Sequence, residues 1–176
     1  MNPVATYEYL GKTRAKVLDA ARLLPEGLYR RSFPFGLSTI ASTLTHIMIS
    51  EGYYADRLEG REVPPYDQWP IKYESPPALG VVEELWRAQT QRVRGIVAAE
   101  RDWSRPVAWV SFPDEQGRRS RIATNSGGLF TQLALHEVHH RAQVMAMLKL
   151  LGSELPAGAA VEDLDFNAWM FERAPV

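Results

Sequence analysis

The sequence predicts an all-α protein, a four-helix bundle with a small β-hairpin inserted before the last helix and a packed C-terminal tail. Four segments repeat apolar residues at helical spacing, and Gly or Pro follows each of them. The 176 residues are 45% hydrophobic and 23% charged, as in an ordinary globular protein. Helices of this length bury their apolar stripes most simply against one another. We therefore expect a single domain over residues 1–176.

The residues that flank each apolar segment predict where the elements begin and end. The first helix spans about 4–24, the second runs from a cap at Ser38 to about 59, and the third spans about 77–102. The fourth runs from a cap at Ser126 to about 151. The long, proline-rich connection 60–77 favours a crossover over a simple up-and-down order. Two β-like runs, 107–112 and 118–124, enclose a turn with Gly117 and predict the hairpin.

The composition excludes several classes of function. Lys and Arg number 20 against 21 Asp and Glu, so there is no chain-wide basic field for nucleic acid. The chain has no cysteine, which excludes disulfides, Cys-ligated zinc, iron–sulfur clusters and a Cys nucleophile. No stretch approaches the roughly 18 apolar residues that span a bilayer, and the N-terminus has no signal-peptide pattern. We expect a cytoplasmic protein that binds neither membrane nor nucleic acid.

Three of the four histidines lie within five residues, and two of them share one helix face. With His136 at zero on a helical wheel, His140 falls at about 40°, in the stripe that holds Leu133 and Met147. Imidazoles at i and i+4 can converge on one metal ion. Burying two such rings without partners costs a few kcal/mol, which a metal would offset. The alternative is a pair of ordinary hydrogen-bonded histidines.

A third ligand has to come from another segment. The wheel of the second helix permits His46 to face a neighbouring helix but does not demand it. Glu51 falls within the apolar stripe of that helix, where it could be a ligand, a ligand's partner or a general base. It could equally be the partner of a buried Arg or of a Tyr hydroxyl. Tyr54, His139 and Gln143 are further candidates for orienting ligands or handling protons.

The segment HEVHH (136–140) also satisfies H-E-x-x-H, the motif of zinc peptidases. There the two histidines bind zinc and the glutamate, here Glu137, activates the metal-bound water. A third ligand would lie downstream, where Glu162 is available with Asp165 nearby. The Pro- and Gly-containing tail does not look like a second ligand-bearing helix, and no long strand pattern precedes the motif to hold a peptide. A zinc peptidase is therefore the less favoured alternative.

Two segments together resemble a known family. THIMISEGYYADRL in the second helix and LALHEVHHRAQV in the fourth are similar to the DinB/YfiT-like superfamily of four-helix bundles. The resemblance implies that His46, His136 and His140 are three metal ligands. HRAQ at 140–143 resembles the family's H-R-G-Q, with Ala142 where Gly is usual. The hairpin and the tail also resemble the family, so the likeness covers most of the chain.

The resemblance also implies a chemistry. Three imidazoles leave a coordination position open for water or substrate, and Zn²⁺, Ni²⁺ or Fe²⁺ suits nitrogen ligands. Relatives include thiol-dependent transferases and isomerases, so the implied reaction is that of a thiol-dependent S-transferase or a hydrolase. The low-molecular-weight thiol would be a diffusible cosubstrate, because the chain has no cysteine. The alternative is a non-catalytic bundle protein that binds a metal or a small molecule.

Two surface features suggest contacts. The fourth helix is also apolar opposite its histidines, at Val138 and Met145, and relatives are often homodimers, so we expect a homodimer. Arg118, Arg119 and Arg121 form a basic patch on the hairpin. That patch either contacts an anionic cosubstrate or is a solvated strand face.

Overall fold

The computed structural model describes residues 2–161 and 164, and within them it confirms the mainly helical bundle and the hairpin. The elements are α1 (Pro3–Arg22), the one-turn α2 (Glu26–Tyr29), α3 (Ile40–Leu58), α4 (Leu79–Ala99), β1 (Pro106–Val110), β2 (Arg121–Asn125) and α5 (Ser126–Leu150). β1 and β2 pair antiparallel, with Trp109 opposite Ile122. Among the described residues, no helix combines the length and the apolar character needed to cross a membrane.

Both predicted helix caps lie one residue away from the observed ones. Thr39 caps α3 and Asn125 caps α5, each accepting a hydrogen bond from the backbone N–H three residues later, at 2.8 and 2.7 Å. Ser38 instead adopts a left-handed conformation with φ 67°. Ser126 is the first residue of α5 and is fully buried. Each site offers two adjacent capping residues, and tertiary packing decides between them.

The long helices run up, down, down, up along the chain. Trp86 of α4 contacts Glu51 of α3, and Arg92, farther along α4, contacts Asp56, farther along α3, so these two helices are parallel. The segment 59–78 therefore returns along the whole length of α3, which is the crossover that its prolines predicted. α1 and α5 both run the opposite way, because their N-terminal halves share one apolar cluster and their C-terminal halves share another.

A layer of buried charges separates these two apolar clusters. Arg14, in the middle of α1, is only 5% exposed. Its guanidinium donates to Glu51 of α3 at 2.6 Å, to Glu137 of α5 at 2.5 and 3.2 Å, and to Thr90 of α4 at 2.8 Å. Burial alone would lower the pKa of Arg14, but Glu137 and Glu51 raise it well above its ordinary value. One side chain of α1 thus joins all three other long helices.

Arg14 bears on the candidate site because it contacts both α3 and α5. The three candidate ligands belong to these two helices, and Glu137 directly follows His136 in sequence. Sequence reasoning did not single Arg14 out. The sequence did indicate that Arg14 is buried, because it lies one turn from both Leu10 and Leu18 on the buried face of α1.

Replacing Arg14 with Met, which fills similar space without charge, should strongly destabilise the fold. Glu51 and Glu137 would stay buried without their shared cation, and breaking such a buried pair costs on the order of 3 kcal/mol. Urea unfolding measures the change in free energy. Arg30→Met is the matched control, because it removes an exposed pair with Glu26 worth less than about 1 kcal/mol. Equal effects of the two substitutions would contradict this role of Arg14.

Candidate metal centre

The antiparallel packing of α3 against α5 brings His46, His136 and His140 together. Their ring centroids are 4.8 Å apart for His46 and His136, 4.6 Å for His46 and His140, and 4.5 Å for His136 and His140. One nitrogen of each ring lies within 4.8 Å of the other two, an arrangement that can hold a metal ion. The helical wheel supported His136 and His140, whereas the inclusion of His46 came from the family resemblance.

The ring nitrogens fit a metal in spacing and in protonation. The Nε2 atoms of His136 and His46 face each other at 3.0 Å. Two nitrogens bound to one tetrahedral Zn²⁺ at about 2.0–2.1 Å lie about 3.3 Å apart. Burial, reinforced by the neighbouring histidines, lowers the pKa of His46 to about 4 and that of His136 to about 3. The pKa of His140 is lowered by burial as well, so all three rings are neutral near pH 7 and offer lone pairs.

Comparison with models of protein families matches most of the chain to one family. The model of the DinB family matches residues 1–170, a span that contains all four long helices and the three clustered histidines. The chain belongs to the DinB family. No curated protein matches the chain. Family membership and a three-histidine cluster are together compatible with a metal-binding DinB bundle.

In this DinB chain, Gln143 orients His140. The side-chain oxygen of Gln143 lies 2.9 Å from His140 Nδ1, and its amide nitrogen lies 3.1 Å from Nε2 of the exposed His139. With the amide in this orientation, the oxygen accepts a hydrogen bond from His140 Nδ1–H, which leaves the lone pair of His140 Nε2 free to bind a metal. His139 and Gln143 thus both lie beside the histidine cluster.

Gly36 makes room for this arrangement, and sequence reasoning missed it. Its φ is +59°, a conformation that favours glycine. A Cβ at position 36 would lie 2.8 Å from the Gln143 side-chain oxygen and would displace it. The only signal in the sequence was a glycine in an aromatic loop, which says nothing about a partner more than a hundred residues away.

Aromatic rings from two elements cover the cluster. Tyr73, from the crossover, packs edge-on against His46 at 5.1 Å, and Tyr54 packs against His136 at 5.8 Å. The Tyr54 hydroxyl accepts a bond of 3.4 Å from Gln132, and burial raises its pKa. Within the described part of the chain, the buried Nδ1 of His46 has no hydrogen-bond partner. Packing and the contact between its Nε2 atom and His136 therefore hold the His46 ring, and sequence reasoning had missed the contribution of Tyr73.

The structure places Glu51 in the charged layer rather than against the histidines. One carboxylate oxygen accepts from Arg14 and from the Tyr7 hydroxyl at 2.7 Å. The other accepts from Trp86 at 2.9 Å and from Gln89 at 2.6 Å. This geometry matches one of the alternatives that the sequence left open, in which Glu51 is the partner of a buried Arg and of a Tyr hydroxyl.

The geometry of Glu137 disfavours the peptidase alternative. Both of its oxygens bind the Arg14 guanidinium, and Arg141 lies 3.5 Å from one of them. A carboxylate held this way is not free to activate water at the histidine cluster. The other residues that this alternative invoked, Glu162 and Asp165, lie outside the described residues.

The metal-free protein should lose stability as the pH falls from 7 towards 4. The pKa values of His46 and His136, about 4 and about 3, lie below the ordinary 6.5, so the unfolded chain binds more protons in this window and acid favours unfolding. Urea unfolding at pH 7 and pH 5, after chelation, measures the loss. In His136→Gln, the free energy of unfolding should differ less between pH 7 and pH 5 than it does in the wild-type protein. An unchanged difference would show that these rings do not titrate as their burial dictates.

Proposed function

We propose that this DinB-family protein is a metal-dependent enzyme in which His46, His136 and His140 hold one divalent transition metal ion. The observation that carries the proposal is the convergence of three neutral ring nitrogens from two helices at one point. Nitrogen donors alone suit Zn²⁺, Ni²⁺ or Fe²⁺. Three protein ligands leave a position open, as in catalytic rather than structural metal sites.

The reaction that we propose is a thiol-dependent S-transfer or a hydrolysis. When bound, the metal supplies charge that lowers the pKa of a water or thiol in the open position. The thiol would be a small cosubstrate from solution, because the chain has no cysteine. Family membership and the ligand geometry support this proposal, and the small-molecule substrate would enter beside the same cluster.

Residues around the cluster have distinct roles in this proposal. Gln143 holds the His140 ring in one orientation, so that Nε2 is aimed at the shared point. The ring of the exposed His139 lies 4.9 Å from that of His140, beside the cluster. Tyr54 and Tyr73 exclude water from the sides of His136 and His46.

Metal analysis tests the metal site directly. Protein purified without a histidine tag or a chelator should contain about one divalent metal ion per chain, and His136→Ala or His140→Ala should lose it. His139→Ala is the matched control, since it removes an adjacent histidine outside the cluster and should retain the metal. Wild-type protein without metal, even after addition of Zn²⁺, Ni²⁺ or Fe²⁺, would refute the proposal. A bound metal ion that has no coordination position open to water or substrate would favour the non-catalytic alternative.

We also propose that the protein forms a homodimer through the outer face of α5. Leu135, Val138 and Leu150 are 59%, 40% and 64% exposed there, and the exposed Ala142 lies between them. A row of apolar side chains along one helix face is suited to pairing with the same row of a second copy.

Light scattering should give twice the mass of the chain. Val138→Glu places a charge within this face and should yield monomers. Val81→Glu adds the same charge at an exposed valine of α4 and should leave the dimer intact. A monomeric wild-type protein at micromolar concentration, or dissociation by both substitutions, would contradict this interface.

A further inference from the structure

Arg57, near the end of α3, is a buried arginine that has no counter-ion among the residues that the structure describes. It is 9% exposed, and its Nε atom is buried without a hydrogen-bond partner among the described residues. No ion pair of Arg57 exists within residues 2–161. Buried charges in proteins are normally paired. The other two buried arginines of the described residues, Arg14 and Arg141, each lie beside at least one carboxylate, so the isolation of Arg57 needs an explanation.

Two aromatic rings lie against the Arg57 guanidinium, and we call them its aromatic clamp. Its central carbon lies 5.2 Å from the ring centre of Tyr53 and 5.1 Å from that of Trp109. Such cation–π contacts stabilise the charge without using its N–H groups. Within the described part of the chain, no acceptor takes the N–H groups of Arg57. The planar fork of donors in a guanidinium matches the oxygens of a carboxylate or a phosphate.

Arg57 lines an open cleft of about 860 Å³ between the end of α3, the start of the crossover and the hairpin. Arg119 of the hairpin lines the same cleft, and its Nε donates to the Ser111 carbonyl at 3.1 Å. Gln68 adds a neutral polar side chain to the lining, and Glu62, which is exposed, is the single acidic residue there. Two arginines against one glutamate leave the cleft positive.

We propose that this cleft binds the anionic group, a carboxylate or a phosphate, of a small organic molecule, with Arg57 as its main contact and Arg119 as its second. The unpaired guanidinium, its aromatic clamp and the second arginine all favour an oxyanion. The anion site does not depend on the histidine cluster, so it stands whether or not a metal binds there.

The position of the cleft connects it with the histidine cluster. Arg57 follows His46 by eleven residues, which places it on the same face of α3, roughly 16 Å along the axis. Between them, Tyr53 packs on Tyr54, whose ring contacts His136. A second, mainly apolar cavity of about 320 Å³ shares Val63 and Pro64 with the cleft and extends along α3 to Ile49. If the proposed function holds, the anionic end of an extended substrate binds at Arg57 while its reacting end lies at the histidines.

The test is a titration of metal-free protein, freed of chelator, with inorganic phosphate and separately with acetate. The Arg57 Nε–H and Trp109 indole N–H resonances in a ¹⁵N-correlated spectrum report on the site. We expect saturable shifts, with the tighter anion identifying the preferred class. Arg57→Met should weaken binding at least about tenfold, equivalent to about 1.4 kcal/mol. Arg119→Met, at an exposed position that the fold tolerates, should weaken it less.

The controls separate this site from general anion effects and from the metal site. Arg61→Met removes an exposed arginine that pairs with Glu59, four residues after Arg57 in the sequence, and should leave binding within twofold. Should Arg57→Met fail to fold, Arg57→Lys keeps the charge without the planar fork and should still bind less tightly. Equal binding by all variants, or no saturable shift in wild-type protein, would overturn the proposal. Anion binding in a protein shown to take up no metal would refute the proposed function and leave the anion site standing.

Discussion

The arrangement of this bundle depends on one buried guanidinium that two carboxylates share. Arg14 needs Glu51 and Glu137, because a buried charge without a partner costs several kcal/mol. The carboxylates need Arg14 for the same reason. This mutual requirement can be satisfied only when α1, α3 and α5 meet at one level. The ion cluster therefore fixes the relative axial positions of these helices. As a result, the histidines on α3 and α5 lie at the same level of the bundle.

The segment HEVHHR at 136–141 contacts two neighbouring helices, α3 and α1. His136 and His140 face α3 across the seam, where they meet His46. Glu137 and Arg141, one residue further on, form a second pair at i and i+4 that faces α1. The sequence thus matches a peptidase motif but contains two different pairs, a candidate ligand pair and a structural ion pair. The two pairs point in different directions because successive helical residues are rotated by 100°.

Local patterns predicted most of the fold and part of the site. Apolar periodicity located the four long helices and the hairpin, and it set His136 and His140 on one stripe, because these features depend on residues a few positions apart. His46 lies at the edge of the buried face of α3, so a helical wheel could not decide its direction. The same wheel marked Glu51 as buried without indicating its partner.

The features that sequence reasoning missed all depend on long-range contacts. Arg14 is explained only by carboxylates 37 and 123 positions away. Gly36 is explained by Gln143, Tyr73 by His46, and the clamp on Arg57 by a tryptophan of the hairpin. Periodicity within one segment carries no information about such partners, and tertiary packing determines them. The helix caps differed by one residue for the same reason.

The central claim, that three histidines of α3 and α5 hold a single metal ion, is tested most directly by anomalous diffraction from crystals of the metal-loaded protein. The account predicts one strong anomalous peak per chain, bonded to Nε2 of His46, His136 and His140 at about 2.0–2.1 Å, with non-protein density in the remaining position. A peak bonded to other residues, or the absence of any peak at the three histidines, would contradict it.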